Sequence, residues 1–135
     1  MNYAEISRDI ISNLYKSYEN LKHSPLNQEL RLLVELRVSQ MNGCTYCCSL
    51  HTEEAIKLEI DAKKIGDIKN WKASPYFSRT EKLALEWAEV ITTLEPDQHS
   101  IKQELFTHFS EREIVDLTAC IALMNALNRI AISLK

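Results

Sequence analysis

Along most of this chain apolar residues return every three or four positions, and strict alternation is rare, so the pattern is that of helices. Leu83, Leu85, Trp87, Val90 and Ile91 follow Ser78-Arg79-Thr80-Glu81, which has the form of a capping box, and the pattern stops before Pro96. Ser110-Glu111-Arg112-Glu113 repeats the signal and opens a final helix, about Glu111 to Leu134, whose middle is apolar nearly all round. Such a helix belongs at the centre of a bundle or in a subunit interface, and both are expected here. Upstream, Asn2 as cap with Glu5 three positions on predicts a first helix to about Leu21, ended by His23-Ser24-Pro25. A second helix, about Asn27 to Met41, carries Leu30, Leu33, Val34 and Leu36 and stops at the turn dipeptide Asn42-Gly43. A third starts at a group of cysteines and continues to about Glu59, with Asp61 capping a short piece up to Gly66. Two glycines and three prolines in the whole chain complete an all-α picture. No repeat or linker divides residues 1–135, which are expected to form a single domain of about six helices.

Charge and composition narrow the function. Sixteen Lys and Arg stand against 19 Asp and Glu, a net charge of -3. The basic residues are scattered and form no stripe, which argues against nucleic acid as a partner. Met1-Asn2-Tyr3-Ala4-Glu5 lacks the basic start and apolar run of a signal peptide, so a cytoplasmic location is expected. The longest apolar stretch, Leu117 to Met124, falls short of the roughly 20 residues that cross a bilayer, and no membrane association is expected.

The candidate chemistry is concentrated. Of four cysteines, three lie within five residues, in Cys44-Thr45-Tyr46-Cys47-Cys48-Ser49-Leu50-His51. On a helix, Cys44, Cys47, Cys48 and His51 are related by steps of three, four and seven and are expected along one face. His51 follows Cys47 by one turn, the spacing at which an imidazole takes a proton from a thiol or stabilises a thiolate. Because Asn42-Gly43 ends the preceding helix, Cys44 and Cys47 fall in the first turn of the next, where unpaired N–H groups favour negative charge. Cys47 is therefore the candidate nucleophile. Cysteines at this spacing also close a disulfide with little backbone movement, giving a reversible two-electron store. Two alternatives stay open: ordinary buried cysteines beside a core histidine, and a zinc site in which Cys44, Cys47 or Cys48, and His51 supply three ligands. A thioredoxin-like fold, which needs a βαβ context, is excluded. Cys120 reads as a core residue, and His23, His99 and His108 have no clustered partners.

The run Glu35-Leu36-Arg37-Val38-Ser39-Gln40-Met41-Asn42-Gly43-Cys44-Thr45-Tyr46-Cys47, followed by His51-Thr52, resembles the AhpD-like carboxymuconolactone decarboxylase family. The similarity extends to Trp71, Ser74-Pro75-Tyr76-Phe77-Ser78, Glu86-Trp87-Ala88-Glu89, His108-Phe109-Ser110 and Asn125-Ala126-Leu127-Asn128-Arg129. It covers nearly everything after about residue 25. The resemblance implies an AhpD-like helical bundle, assembly into trimers or hexamers, and a peroxidase acting on organic hydroperoxides. By it, Cys47 would become the sulfenic acid, Cys44 would resolve it, and His51 would belong to a proton relay. An external dithiol such as a lipoyl group on a partner protein would reduce the disulfide, and no metal, flavin or haem is required. The namesake lactone decarboxylases lack the paired cysteines, so Cys44 and Cys47 direct this chain to the redox branch.

One position departs from the pattern. Peroxidase members carry a relay glutamate twelve positions before the first cysteine, where this chain has Leu32. Glu29 and Glu35 each lie three positions away, about 60° round the helix. Glu35, nearer the cysteines in sequence, is taken as the relay carboxylate, the alternative being a surface carboxylate paired with a nearby Arg or Lys. Without a carboxylate at the site, a general disulfide reductase would fit better than a peroxidase, and a binding protein that senses oxidants without turnover is a further possibility. Cys48, also one turn from Cys44, is a second potential resolving thiol.

Overall fold

The computed structural model describes residues 1–135. Eight α-helices follow in order: α1 (Tyr3–Ile6), α2 (Arg8–Asn20), α3 (Gln28–Met41), α4 (Thr45–Lys57), α5 (Ala62–Asp67), α6 (Arg79–Thr93), α7 (His99–His108) and α8 (Glu111–Leu134). Single 3-10 turns at Leu21–His23 and Ile68–Asn70 extend α2 and α5, and there is no strand.

The bundle is built round α3, which packs against α4, α6 and α8, while α6 also lies on α8. The reason is visible in its side chains. Leu30, Leu32, Leu33, Val34, Leu36 and Val38 are all buried, so α3 has apolar groups on nearly every side and needs neighbours all round. Asn27 starts it, its Oδ1 accepting the N–H of Leu30 at 3.0 Å. The capping boxes at Ser78/Glu81 and Ser110/Glu113 both form and open α6 and α8. Length and composition alone would let α8, about 36 Å long, cross a membrane. In the bundle its Leu117, Cys120, Ile121 and Met124 are core residues, and its buried Asp116 pairs with Ser24 and Arg112.

Three expectations about the elements need correction. The first helix is broken at Ser7 (φ -121°), and Asn2 makes no side-chain capping bond. None of the four residues of α1 is fully buried, and only half-buried Tyr3, beside Tyr15, ties this turn to α2. The third expected helix, now α4, ends at Lys57, and Glu59 adopts a left-handed φ of 59°. Finally, α7 was not expected. Its stripe is short, Ile101, Leu105 and Phe109 on the core side, and its start is marked only by Asp97, which accepts the N–H of His99 at 3.2 Å, since Gln98 makes no side-chain bond.

Candidate functional site

The site begins at the corner between α3 and α4. Gly43 has φ 68°, a conformation that carries little penalty only for glycine, and it reverses the chain after Met41. Asn42 fixes this corner to α8, its Nδ2 donating to Oδ1 of Asn125 and of Asn128, both at 3.0 Å. Asn128 in turn donates to Ser39 Oγ on α3 at 3.2 Å. The turn that presents the cysteines is thereby held from two helices.

Cys44 is the N-cap of α4, one position earlier than expected, and its Sγ accepts the N–H of Cys47 at 3.3 Å. The two cysteines are joined as a disulfide, with Cα atoms 5.2 Å apart. They differ in access. Cys47 lines a cavity of about 50 Å³, together with His51 and the rings of Tyr3, Tyr15, Tyr18 and Tyr46. Cys44 does not reach that cavity and lies beneath, against Ala131. Larger surface clefts exist, such as one of about 570 Å³ around Trp71 and Lys82, but they contain neither thiol nor imidazole.

Cys48 departs from the expected single stripe. One residue after Cys47 means about 100° further round the helix, and its side chain packs against the main core on the side of Lys69. Burial pushes its thiol up from the ordinary value. The zinc ligand set considered from the sequence is therefore not assembled, because two sulfurs are bonded to each other and the third points elsewhere.

His51 is buried and sits between two groups of opposite character. Its Nε2 lies 3.2 Å from Met124 Sδ. Its Nδ1 lies 3.4 Å from Glu35 Oε2 and 3.8 Å from Glu54 Oε2, within ion-pairing distance of both but without an aligned hydrogen bond to either. Glu35 is fully buried. Tyr18 donates to its Oε2 at 3.0 Å, Arg31 pairs with its Oε1 from one turn earlier on α3, and the Cys120 thiol lies 3.6 Å from Oε1. Burial raises the Glu35 carboxyl above its ordinary range, and the nearby Arg31 and His51 only partly oppose this. Burial likewise opposes the charge on Arg31, and Glu35 and Tyr18 together more than restore it.

Glu54 completes the cluster. Tyr18 also donates to its Oε2, at 3.4 Å, so one phenol is shared between two carboxylates. Polar attraction from His51 holds Glu54 below the ordinary carboxyl value against the effect of partial burial. Burial, then the two carboxylates, push the Tyr18 phenol upward, and burial with the neighbouring Tyr3 pushes Tyr15 to about 12. Both tyrosines are neutral hydroxyl donors at ordinary pH.

Of the residues singled out from the sequence, Cys44, Cys47, His51 and Glu35 are brought together. Leu32 is a core residue, and Glu29 lies away from the site, paired with Lys64 at 3.1 Å. Cys120 is buried as expected but also touches Glu35. Sequence reasoning missed Glu54, although it follows His51 by three residues, and Arg31, although it precedes Glu35 by four. Tyr18 and Met124 arrive from distant elements and carry no local signal. Ligand atoms of Glu35, His51 and Glu54 lie within 4.8 Å of one another, a spacing that a metal ion could bridge. The Arg31 guanidinium on Glu35 already supplies a cation there, which works against a second.

An all-helical bundle with a C-x-x-C pair capping one helix and a histidine one turn beyond, backed by a buried carboxylate, defines the class. Residues 13–90 match the sequence model of the Carboxymuconolactone decarboxylase family, and the chain belongs to that family in its AhpD-like form. It is 33% identical over 140 residues to the uncharacterized protein YdfG of Bacillus subtilis, covering 99% of this chain and 92% of that one. It is 31% identical over 114 residues to the uncharacterized protein YnjA of Escherichia coli, covering 84% of this chain but only 63% of the longer relative. A crystal structure from Agrobacterium tumefaciens, described as a protein of unknown function and a candidate antioxidant defence protein AhpD, superposes with a TM-score of 0.93. Identity there is 28%, over 98% of this chain and 92% of that one. An uncharacterized peroxidase-related protein from Silicibacter sp. TM1040 shares the fold, with a TM-score of 0.83 at 22% identity, over 94% of this chain and 69% of that one.

Proposed function

We propose that this protein is a thiol-dependent peroxidase that reduces organic hydroperoxides through the Cys44/Cys47 pair. The observation that carries the reading is the unequal access of the two sulfurs. Cys47 faces an apolar, tyrosine-walled cavity with His51 beside it, whereas Cys44 lies behind at bonding distance. The Cys47 thiolate, favoured by the N–H groups of the first turn of α4, attacks the distal oxygen of the hydroperoxide. An S–O bond forms, the O–O bond breaks, and the departing alkoxide takes the proton that Cys47 gave up, through His51. The Cys44 thiol then attacks the sulfenic sulfur, the S–S bond forms, and water leaves. An external dithiol, such as a lipoyl group on a partner protein, supplies two electrons by exchange and becomes a disulfide itself.

Contact between Glu35 and His51 favours this reading over a general disulfide reductase, since the proton relay then has its carboxylate in spite of Leu32. The apolar walls suit an alkyl or aryl group. A cytoplasmic setting keeps dithiol reductants available, and assembly into a trimer or hexamer accompanies the proposal. The test has two arms. After reduction and one equivalent of cumene hydroperoxide, mass spectrometry should show the Cys44–Cys47 linkage, and consumption should cease in Cys47→Ser. Consumption persisting in that variant would overturn the proposal. Steady-state turnover with a dithiol donor separates a peroxidase from a sensor, which would stop after a single equivalent.

A further inference from the structure

The buried centre of this site opens to water in two places. Cys47, His51 and Tyr18 line the tyrosine-walled cavity. Glu54 and Arg31 line a separate cleft of about 500 Å³ together with Lys22 and Lys57, and the two openings share no residue. Glu35 lines neither and is sealed. Between them stands the His51 ring, whose buried Nδ1 has no hydrogen-bond partner yet faces both Glu35 and Glu54. Tyr18 makes a second link, touching both carboxylates with one hydroxyl.

We infer that Glu54 is the solvent-side proton port of the site, exchanging protons between bulk water and the buried His51–Glu35 pair through an opening separate from the one that admits the hydroperoxide. The inference rests on the peroxidase reading for its chemistry. The reductive half of that cycle shows why a second opening is useful. A partner dithiol must reach Cys47 through the cavity mouth and cover it. Its first thiolate bonds to Cys47 and breaks the S–S bond, and Cys44 leaves needing a proton. Its second thiolate then forms the partner's own disulfide, and Cys47 leaves. The two protons gained by the cysteines equal the two that the partner's thiols gave to water on ionising. With the mouth covered, those protons need another way in.

Charge supports the same route. The charged and titratable groups round Glu54 come from several elements: Tyr18 on α2, Arg31 and Glu35 on α3, His51 on its own helix, and Lys22 and Lys57 at the cleft. In the buried part Arg31 pairs with Glu35, and the His51 ring stands between that pair and Glu54. His51 Nδ1, unpartnered and within ion-pairing distance of both carboxylates, gives a proton taken up at Glu54 a place to rest one step inward. The ring then delivers from its other nitrogen, on the side of Met124 and the cavity.

The test uses the full chain and two readouts, single-turnover reduction of the Cys44–Cys47 disulfide by dithiothreitol and steady-state turnover of cumene hydroperoxide, both in dilute buffer. Glu54→Ala and Glu54→Gln should each slow both processes by about a hundredfold, the low side of what proton transfer by a placed side chain contributes. The KM for hydroperoxide should stay unchanged. Raising the concentration of acetate or formate should restore the rate of Glu54→Ala progressively, since a small acid can enter the open cleft. Wild-type rates in both variants at low buffer would overturn the inference, and so would a loss that no small acid relieves. A wild-type protein that is reduced normally but consumes no hydroperoxide would instead overturn the peroxidase reading, while the reduction arm still judges Glu54.

Discussion

At the scale of single residues the site is a small set of buried charges whose stability and chemistry are coupled. Arg31 and Glu35 are both nearly inaccessible and face each other across one turn of α3. Removing one member of such a pair strands the other, which costs roughly 3–5 kcal/mol, whereas replacing both by apolar side chains is often neutral. Urea unfolding should therefore show a large loss for Arg31→Met, and the double variant Arg31→Met/Glu35→Leu should be more stable than that single one. Losses that simply add would mean the two side chains are not paired. Glu54 gives a second prediction, with the sign set by its lowered carboxyl value. A carboxylate whose folded value lies below its ordinary 4.5 adds stability above 4.5, and that stability is lost as pH falls through the folded value. Glu35 acts in the opposite sense, since its raised value means that ionising it weakens the fold as pH climbs above 4.5. The stability advantage of wild type over Glu54→Gln should thus be constant near neutrality and shrink below pH 4.5. An advantage that is flat with pH would show that His51 does not favour the ionised carboxylate.

At the scale of elements, the decisive piece is the α3–α4 corner, because it sets where the cysteine pair stands relative to α8. Gly43 has open space where a Cβ would go, so Gly43→Ala meets no clash and tests the backbone alone. The left-handed φ should cost about 1–2 kcal/mol in unfolding free energy, and the strained corner should slow the reaction of Cys47 with hydroperoxide more than it alters binding. A variant as stable as wild type would indicate that the corner rearranges freely. The same corner shows why parts of the site could be read from the chain and others could not. The spacing of Cys44, Cys47 and His51 is a property of one helix, and the capping boxes of α6 and α8 are local, so both are written in adjacent residues. The turn that places Cys48 off the stripe is also local, yet a stripe of four is wider than one helix face holds. Glu35 could be proposed from α3 but not positioned, because its partners Tyr18, His51 and Cys120 come from α2, α4 and α8. The break at Ser7 leaves no mark, since it depends on no cap or stripe, and α7 leaves a faint one, Ile101, Leu105 and Phe109 on one face behind Asp97.

At the scale of the molecule, the feature in need of explanation is apolar surface. Ile6 and Ile10, at the N-terminus, are 72% and 62% exposed, Ile132 on α8 is 50% exposed, and Tyr46 and Leu50 are open on α4. The proposed self-assembly would cover these side chains, as an interface covers a contiguous apolar patch. The four residues of α1 strengthen this reading: a single turn is marginal on its own, none of its residues is fully buried within the chain, and it nevertheless places Tyr3 in the wall of the cavity. An interface that buries Ile6 and Ile10 would hold Tyr3 where it stands. Cys47, His51 and Glu35 need no such support, since α3, α4 and α8 fix them from within. Sedimentation velocity should therefore give the mass of a trimer or hexamer for wild type and a smaller species for Ile6→Glu/Ile10→Glu, with helicity retained. Dissociation should raise the KM for hydroperoxide while leaving kcat within a few-fold, because the wall of the cavity loosens and the reacting groups do not. A wild type that sediments as a monomer would defeat the assembly, and a dissociated variant with an unchanged KM would separate assembly from the cavity.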